Sequence, residues 1–168
     1  MKPVEIVVRK ARPEEYEAVA GLTVAAYTAL SGNTMSGGYE AELRDVAGRA
    51  EAAVVLVAVQ VDTLVGAVAY IPDEHSSWGE GVRPGEASIR MLAVAPEAQG
   101  RGAGEALARA CLDRARAAGK ARVVLHSTPW MTSAHRLYER LGFRRAPDRD
   151  WLPVPDVPLW AFELPLET

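Results

Sequence analysis

The chain has 168 residues, is 49% hydrophobic and carries a formal net charge of −3, which is enough chain for one domain with a proper core and argues against a nucleic-acid binder. No apolar run approaches the length of a membrane span, and the N-terminus lacks a signal-peptide pattern. The single cysteine, Cys111, excludes an internal disulfide and suits a reducing, cytoplasmic compartment.

Val4 to Val8 reads as a short strand, and Pro13 suits the first turn of a helix running to about Leu30. Ser31 to Gly38 is a Ser/Gly loop, and Tyr39 to Ala50 a second helix. Ala53–Val59 and Leu64–Ile71 form a hairpin around Val61-Asp62-Thr63. A long polar loop, Pro72 to Gly85, precedes a fourth strand from Glu86 to Ala95; loops of this length are often functional. Gly102 to Ala118 is amphipathic, with Cys111 among Ala103, Leu107 and Ala115 on its apolar face, so the thiol reads as core. Ala121–Ser127 is a fifth strand, Thr132–Leu141 a short helix closed by Gly142, and Phe143–Ala146 and Leu159–Leu164 a final strand pair. The prolines at 147, 153, 155 and 158 mark the connection between these last two as a loop. No internal repeat or linker interrupts residues 1–168, so a single domain is expected.

The junction at residues 92–104 is the most informative stretch. An apolar strand ends at Pro96, and Gly100, Gly102 and Gly104 then lead into a helix. Glycines there let a ligand approach the backbone, and the helix start offers unpaired N–H groups and the positive dipole end, a combination that binds phosphate or pyrophosphate. A P-loop fails, because Gly104 is followed by Glu105 and Ala106 rather than Lys and Ser/Thr. A dinucleotide fingerprint starting at Gly100 fails at Glu105. Charge agrees with a polyanionic ligand: residues 1–100 sum to −6, residues 101–149 to +7 and residues 150–168 to −4.

Gln99-Gly100-Arg101-Gly102-Ala103-Gly104 fits, without a gap, the Gln/Arg-x-x-Gly-x-Gly/Ala pattern of the GNAT superfamily of N-acetyltransferases. Leu137-Tyr138-Glu139-Arg140-Leu141-Gly142-Phe143 resembles the segment that closes that family's catalytic core, and the order of elements resembles the family's over nearly the whole chain. The resemblance implies an α/β (α+β) GNAT fold: a mixed, mostly antiparallel twisted sheet, about four flanking helices, and a splayed fourth/fifth strand pair. It implies acetyl-CoA as acyl donor, with the pantetheine arm on the backbone of Leu92, Ala93 and Val94 and the pyrophosphate on Gln99, Gly100, Arg101, Gly102, Ala103 and Gly104.

The implied reaction is direct attack of a primary amine on the thioester. Tyr138 matches the family's general acid, and a backbone N–H near Leu92 would meet the oxyanion. Two positions depart from the pattern. Ser88 stands where many members carry a glutamate base, leaving Glu86, two residues earlier on the same strand face, to act through a water, with His126 as an alternative base. Met131 stands where an asparagine often touches the cofactor. These departures keep open a second reading, a non-catalytic acyl-CoA-binding sensor of GNAT type. The three histidines form no metal set, so no metal is expected. Neither a nucleic-acid nor a membrane partner is expected; a homodimer is left open. The acidic loops around the cleft, with Asp73, Glu74, Glu80, Glu86, Asp148, Asp150 and Asp156, suggest a cationic small-molecule or peptide acceptor.

Overall fold

The computed structural model describes residues 5–31, 39–154 and 157–166; most of the Ser/Gly loop and Asp156 lie outside them. In chain order the elements are β1 (Val7–Lys10), α1 (Tyr16–Ser31), α2 (Tyr39–Arg44), α3 (Val46–Ala52), β2 (Val54–Gln60), β3 (Thr63–Ile71), β4 (Glu86–Val94), α4 (Ala103–Ala117), β5 (Arg122–Ser127), α5 (Thr132–Arg140), β6 (Arg144–Arg145), β7 (Trp151–Val154) and β8 (Val157–Pro165). The sheet order is β1-β2-β3-β4-β5-β8-β6, with β7 paired to β8. Neighbours are antiparallel except for β4 and β5, which run parallel.

Two elements differ from the sequence reading. The helix expected over 39–50 is two, because Asp45 stops one and caps the next: its carboxylate accepts from the Gly48 N–H at 3.0 Å. The buried Arg49 guanidinium then donates to the carbonyls of Glu42 and Leu43, holding the corner. The described residues therefore contain five α-helices where about four were expected. The Pro-rich connection after β6 contains a 3-10 turn, Pro147–Arg149, and then β7, an edge strand on β8. Edge position is where a strand tolerates Pro153.

The sheet has two covered faces. On one, α1 and α3 bury Val19, Ala20 and Val46 against Val55, Val57 and Ala67. On the other, α4 and α5 bury Leu107, Cys111 and Tyr138 against Val68, Ala87, Ile89, Val123 and Leu125. The α4 contact is close: a Cβ on Gly66 would lie 2.9 Å from Leu107 Cδ1. Strand alternation fixes the rest. With Ala87 and Ile89 on the α4 face, Glu86, Ser88 and Arg90 belong to the α1–α3 face, as do Val124 and His126 of β5.

Candidate functional site

The parallel pairing of β4 with β5 is short. It runs over Glu86↔Arg122, Ala87↔Val123 and Ser88↔Val124 and then stops, although β4 continues to Val94 and β5 to Ser127. Just beyond, β4 carries a β-bulge: Ala69 pairs with Arg90 and Ala67 with Ala93, so Met91 and Leu92 together face Val68. Met91 has φ +54, an uncommon conformation for a residue with a Cβ and one that the surrounding packing must hold. Its side chain sits with Val24 and Leu43, bordered by Tyr27 and Trp78. The bulge bends β4 away from β5 and opens a gap between them.

Beyond Ser88 the edge of β4 facing the gap is not paired with β5. The N–H of Ala95 donates to Val65 of β3 at 2.9 Å, so by alternation the groups of Ala93 also point to β3, while those of Leu92 and Val94 point into the gap. The Val94 carbonyl does so visibly, accepting from Gln99 Nε2 at 3.1 Å. The glycine turn follows. Gly100 (φ +80) and Gly102 (φ +88) occupy the left-handed region, and a Cβ on either would meet no protein atom within 4 Å. These two glycines are required by their dihedrals, and the space above them is open. Gly102 is the N-cap of α4 and supplies no side-chain cap, which leaves the first N–H groups of the helix available. Arg101 is exposed and folds back to donate to Gln60 Oε1 (3.1 Å) and the Glu97 carbonyl (3.2 Å). Both acceptors are uncharged, so its positive charge stays beside the turn.

Tyr138 lies on the α4 face, 6% exposed, its ring centroid 5.7 Å from that of Phe143 and 5.9 Å from that of Phe162. Burial, with Cys111 nearby, raises its phenol above the ordinary value, so the hydroxyl stays protonated. The Cys111 thiol is fully buried and pushed up to about 12 by that burial, consistent with the core role expected for it. Met131 is the residue before α5 and lends it no side-chain cap.

Glu86 is not the solvated strand-end carboxylate that a water-relayed base requires. It is 3% exposed, and both its oxygens are held at 2.8 Å by the Arg149 guanidinium. Arg122 approaches at 3.4 Å and the Arg83 N–H donates at 3.0 Å. Burial opposes the charge, but these donors outweigh it and hold the carboxyl below its ordinary range. Arg149, 9% exposed, also donates to the Gly81 carbonyl at 2.7 Å. It thereby ties the long loop, β4 and the 3-10 turn together. Its partner stands 63 positions away, a separation that no local motif signals.

His126 occupies the mouth of the gap. Two residues beyond the last β4–β5 pair, it stands level with Arg90 on the same sheet face. Its Nε2 lies 3.1 Å from the Arg149 carbonyl oxygen; that oxygen only accepts, so Nε2 carries the proton and Nδ1 keeps its lone pair. Burial lowers its pKa first, the Arg149 and Arg90 charges add to this, and the Arg149 carbonyl and Asp150 oppose it. The ring is therefore neutral at pH 7. Gly81 (φ +80) lies over it, where a Cβ would come within 3.1 Å of Cε1, and the Trp151 ring meets it edge-on at 6.4 Å. His126 also lines a cleft of about 380 Å³ with Glu80–Arg83 and Asp148–Trp151.

The other candidates separate from this centre. His135 bonds the Ser127 hydroxyl on the α5 side, and His75 is exposed beside Glu74. Among the described residues no group of three or more His, Cys, Asp or Glu is placed to hold a metal ion. No described helix is long and apolar enough to cross a membrane. Arg90 is a residue the sequence reading passed over. The available signal was a lone cation inside the apolar run Ile89 to Val94.

Residues 18–143 match the family model of the acetyltransferase (GNAT) family. Over 72 residues the chain is 43% identical to a mycothiol acetyltransferase of Streptosporangium roseum, a match covering 42% of this chain and 21% of that protein. It thus spans about a fifth of the length of that curated relative. The fold is similar to that of a PaiA N-acetyltransferase from Thermoplasma acidophilum in complex with coenzyme A: TM-score 0.73, 15% identity, 96% of this chain and 99% of the other. It is also similar to YncA of Salmonella typhimurium, described as a putative acetyltransferase with its cofactor acetyl-CoA: TM-score 0.69, 18% identity, 96% and 94% of the two chains. The splayed β4–β5 pair, the bulge at Met91 and the glycine turn stand within the matched region, and the chain belongs to the GNAT acetyltransferase family.

Proposed function

We propose that the chain is an acetyl-CoA-dependent N-acetyltransferase that moves an acetyl group to a primary amine. The observation that carries this reading is the gap between β4 and β5, bordered by the edge of β4 that β5 leaves unpaired and ending in the glycine turn. It fits the donor on both counts. The gap-facing Leu92 carbonyl and Val94 N–H would pair with pantetheine amides as an added strand does. The N–H groups from Gln99 to Gly104, with Arg101 beside them, would hold the pyrophosphate. Acetyl-CoA supplies the activated thioester.

This chain's residues would then divide the work. The Leu92 N–H, facing the gap at the bulge, would donate to the oxyanion. Tyr138, kept protonated by burial, would donate to the departing thiolate from the α4 side. The base on the opposite face is better sought at His126 than at Glu86. The histidine is neutral with a free Nδ1 at the cleft, whereas both Glu86 oxygens are bound to Arg149. Glu86 then acts as a positioning residue, holding Arg149 and through it the imidazole.

The test is calorimetric titration with CoA beside a thiol-release assay over an amine panel. CoA binding together with amine-dependent thiol release supports the enzyme. Tight binding with no release beyond background from any amine would indicate a sensor instead.

A further inference from the structure

We infer that Arg90 is the anchor for a carboxylate on the acceptor, so that the acceptor is an amine that also carries an acid. This rests on the acetyltransferase reading and names the substrate class of that site. Arg90 is half-buried on β4, immediately before the bulge, and level with His126 across the open gap. Among the described residues no carboxylate lies within 4 Å of it; the ion pairs of this face all involve other arginines. Its guanidinium is 4.6 Å from the Trp78 ring centroid, and Nη1 reaches the Trp78 carbonyl only at 3.5 Å. Arginine in a half-buried strand position ordinarily has a carboxylate partner. Here the flat face is stacked while the donor edge is scarcely used.

The stacking surface is built, not incidental. Ser76 Oγ donates to the Ala52 carbonyl at 2.6 Å and accepts from the Trp78 N–H at 3.1 Å, tying the loop to the end of α3. Gly79 is buried where a Cβ would meet the carbonyl oxygens of Asp73, Ser76 and Glu74 at 2.9 to 3.1 Å. The turn therefore holds Trp78 over Arg90, as a stacked guanidinium requires. Two carboxylates of the acidic rim that suggested a cationic acceptor are spent internally. Glu86 is bound by Arg149 and Arg122, and Asp150 by Arg145. Glu80 and Asp148 line the neighbouring cleft at His126, and a single stacked guanidinium near such carboxylates suits a monoanionic carboxylate better than a dianionic phosphate.

The experiment compares glycine, phenylalanine, β-alanine and 4-aminobutyrate with their primary carboxamides, and β-alanine with 2-aminoethylphosphonate. It measures kcat/KM per unprotonated amine and, by calorimetry, affinity for the CoA-loaded protein. At least one acid should exceed its amide by about 10- to 100-fold, the span that charge-assisted hydrogen bonds supply. Arg90→Gln should bring that ratio within about threefold, and Arg90→Lys should fall between, keeping charge but losing the fork. No acid preferred over its amide, a ratio unmoved by Arg90→Gln, or a phosphonate preferred over β-alanine overturns the inference. Thiol release with amides alone would leave the transferase reading standing and remove this one. A carboxylate preference in binding with no thiol release from any amine would do the reverse.

Discussion

Replacing Arg149 by methionine removes one partner of a buried ion pair and leaves Glu86 at 3% exposure with its charge uncompensated. Breaking such a pair from one side costs about 3–5 kcal/mol, because the remaining ion keeps its desolvation penalty. Arg122 still approaches Glu86 at 3.4 Å and can recover part of this, which favours the lower half of that range. A domain of this size loses about 2–4 °C in Tm per kcal/mol, so the expected fall is about 6–16 °C. Scanning calorimetry at several pH values supplies the second half of the test. The Glu86 carboxyl sits below its ordinary 4.5 in the wild type. Its contribution is therefore complete above the unfolded value and lost as pH falls through the folded one. In Arg149→Met the stranded carboxyl titrates higher and is relieved by protonation, so the gap between variant and wild type should narrow toward pH ~4. Replacing both partners, Glu86→Leu with Arg149→Met, should recover much of the loss. A single variant that melts within about 2 °C of wild type at neutral pH would refute the argument that this pair organises the site.

Gly102→Glu forces a side chain onto a left-handed backbone and puts a carboxylate at the helix start; CoA binding by calorimetry should be lost while the circular dichroism spectrum is kept. Tyr138→Phe should lower kcat by about 10² to 10⁴-fold and change acetyl-CoA affinity little, since only a hydroxyl is removed; an unchanged kcat would leave Tyr138 a core aromatic. The kcat/KM profile should rise along a limb whose midpoint lies below the ordinary histidine value of 6.5, because burial favours the neutral ring. His126→Gln should abolish that limb, and a limb surviving in the variant would assign the base elsewhere.

The parts of this fold legible in the sequence are those written in local patterns. Glycines at alternate positions after an apolar strand marked the turn before α4. The seven residues from Leu137 to Phe143 marked the end of α5, and apolar runs bounded by turns marked β2 to β5. Pairing across distance was hidden. Glu86 read as a strand-end acid because its partner, Arg149, belongs to a turn beyond the next two helices. Counting charges on loops likewise could not show that Asp150 is used by Arg145 at 2.7 Å and Glu86 by Arg149. Strand β7 was masked by Pro153, which its edge position on β8 accommodates. The split between α2 and α3 turned on a single N-cap, Asp45, inside a segment whose periodicity continues across it.

The central claim is transfer of acetyl to an amine, and mass spectrometry of the amine after incubation with acetyl-CoA and the protein tests it most directly. One acetyl group on the amine nitrogen is expected for each free CoA released, with both products falling together in Tyr138→Phe. Release of CoA with the amine unmodified, or no release from any amine while CoA still binds, would contradict it.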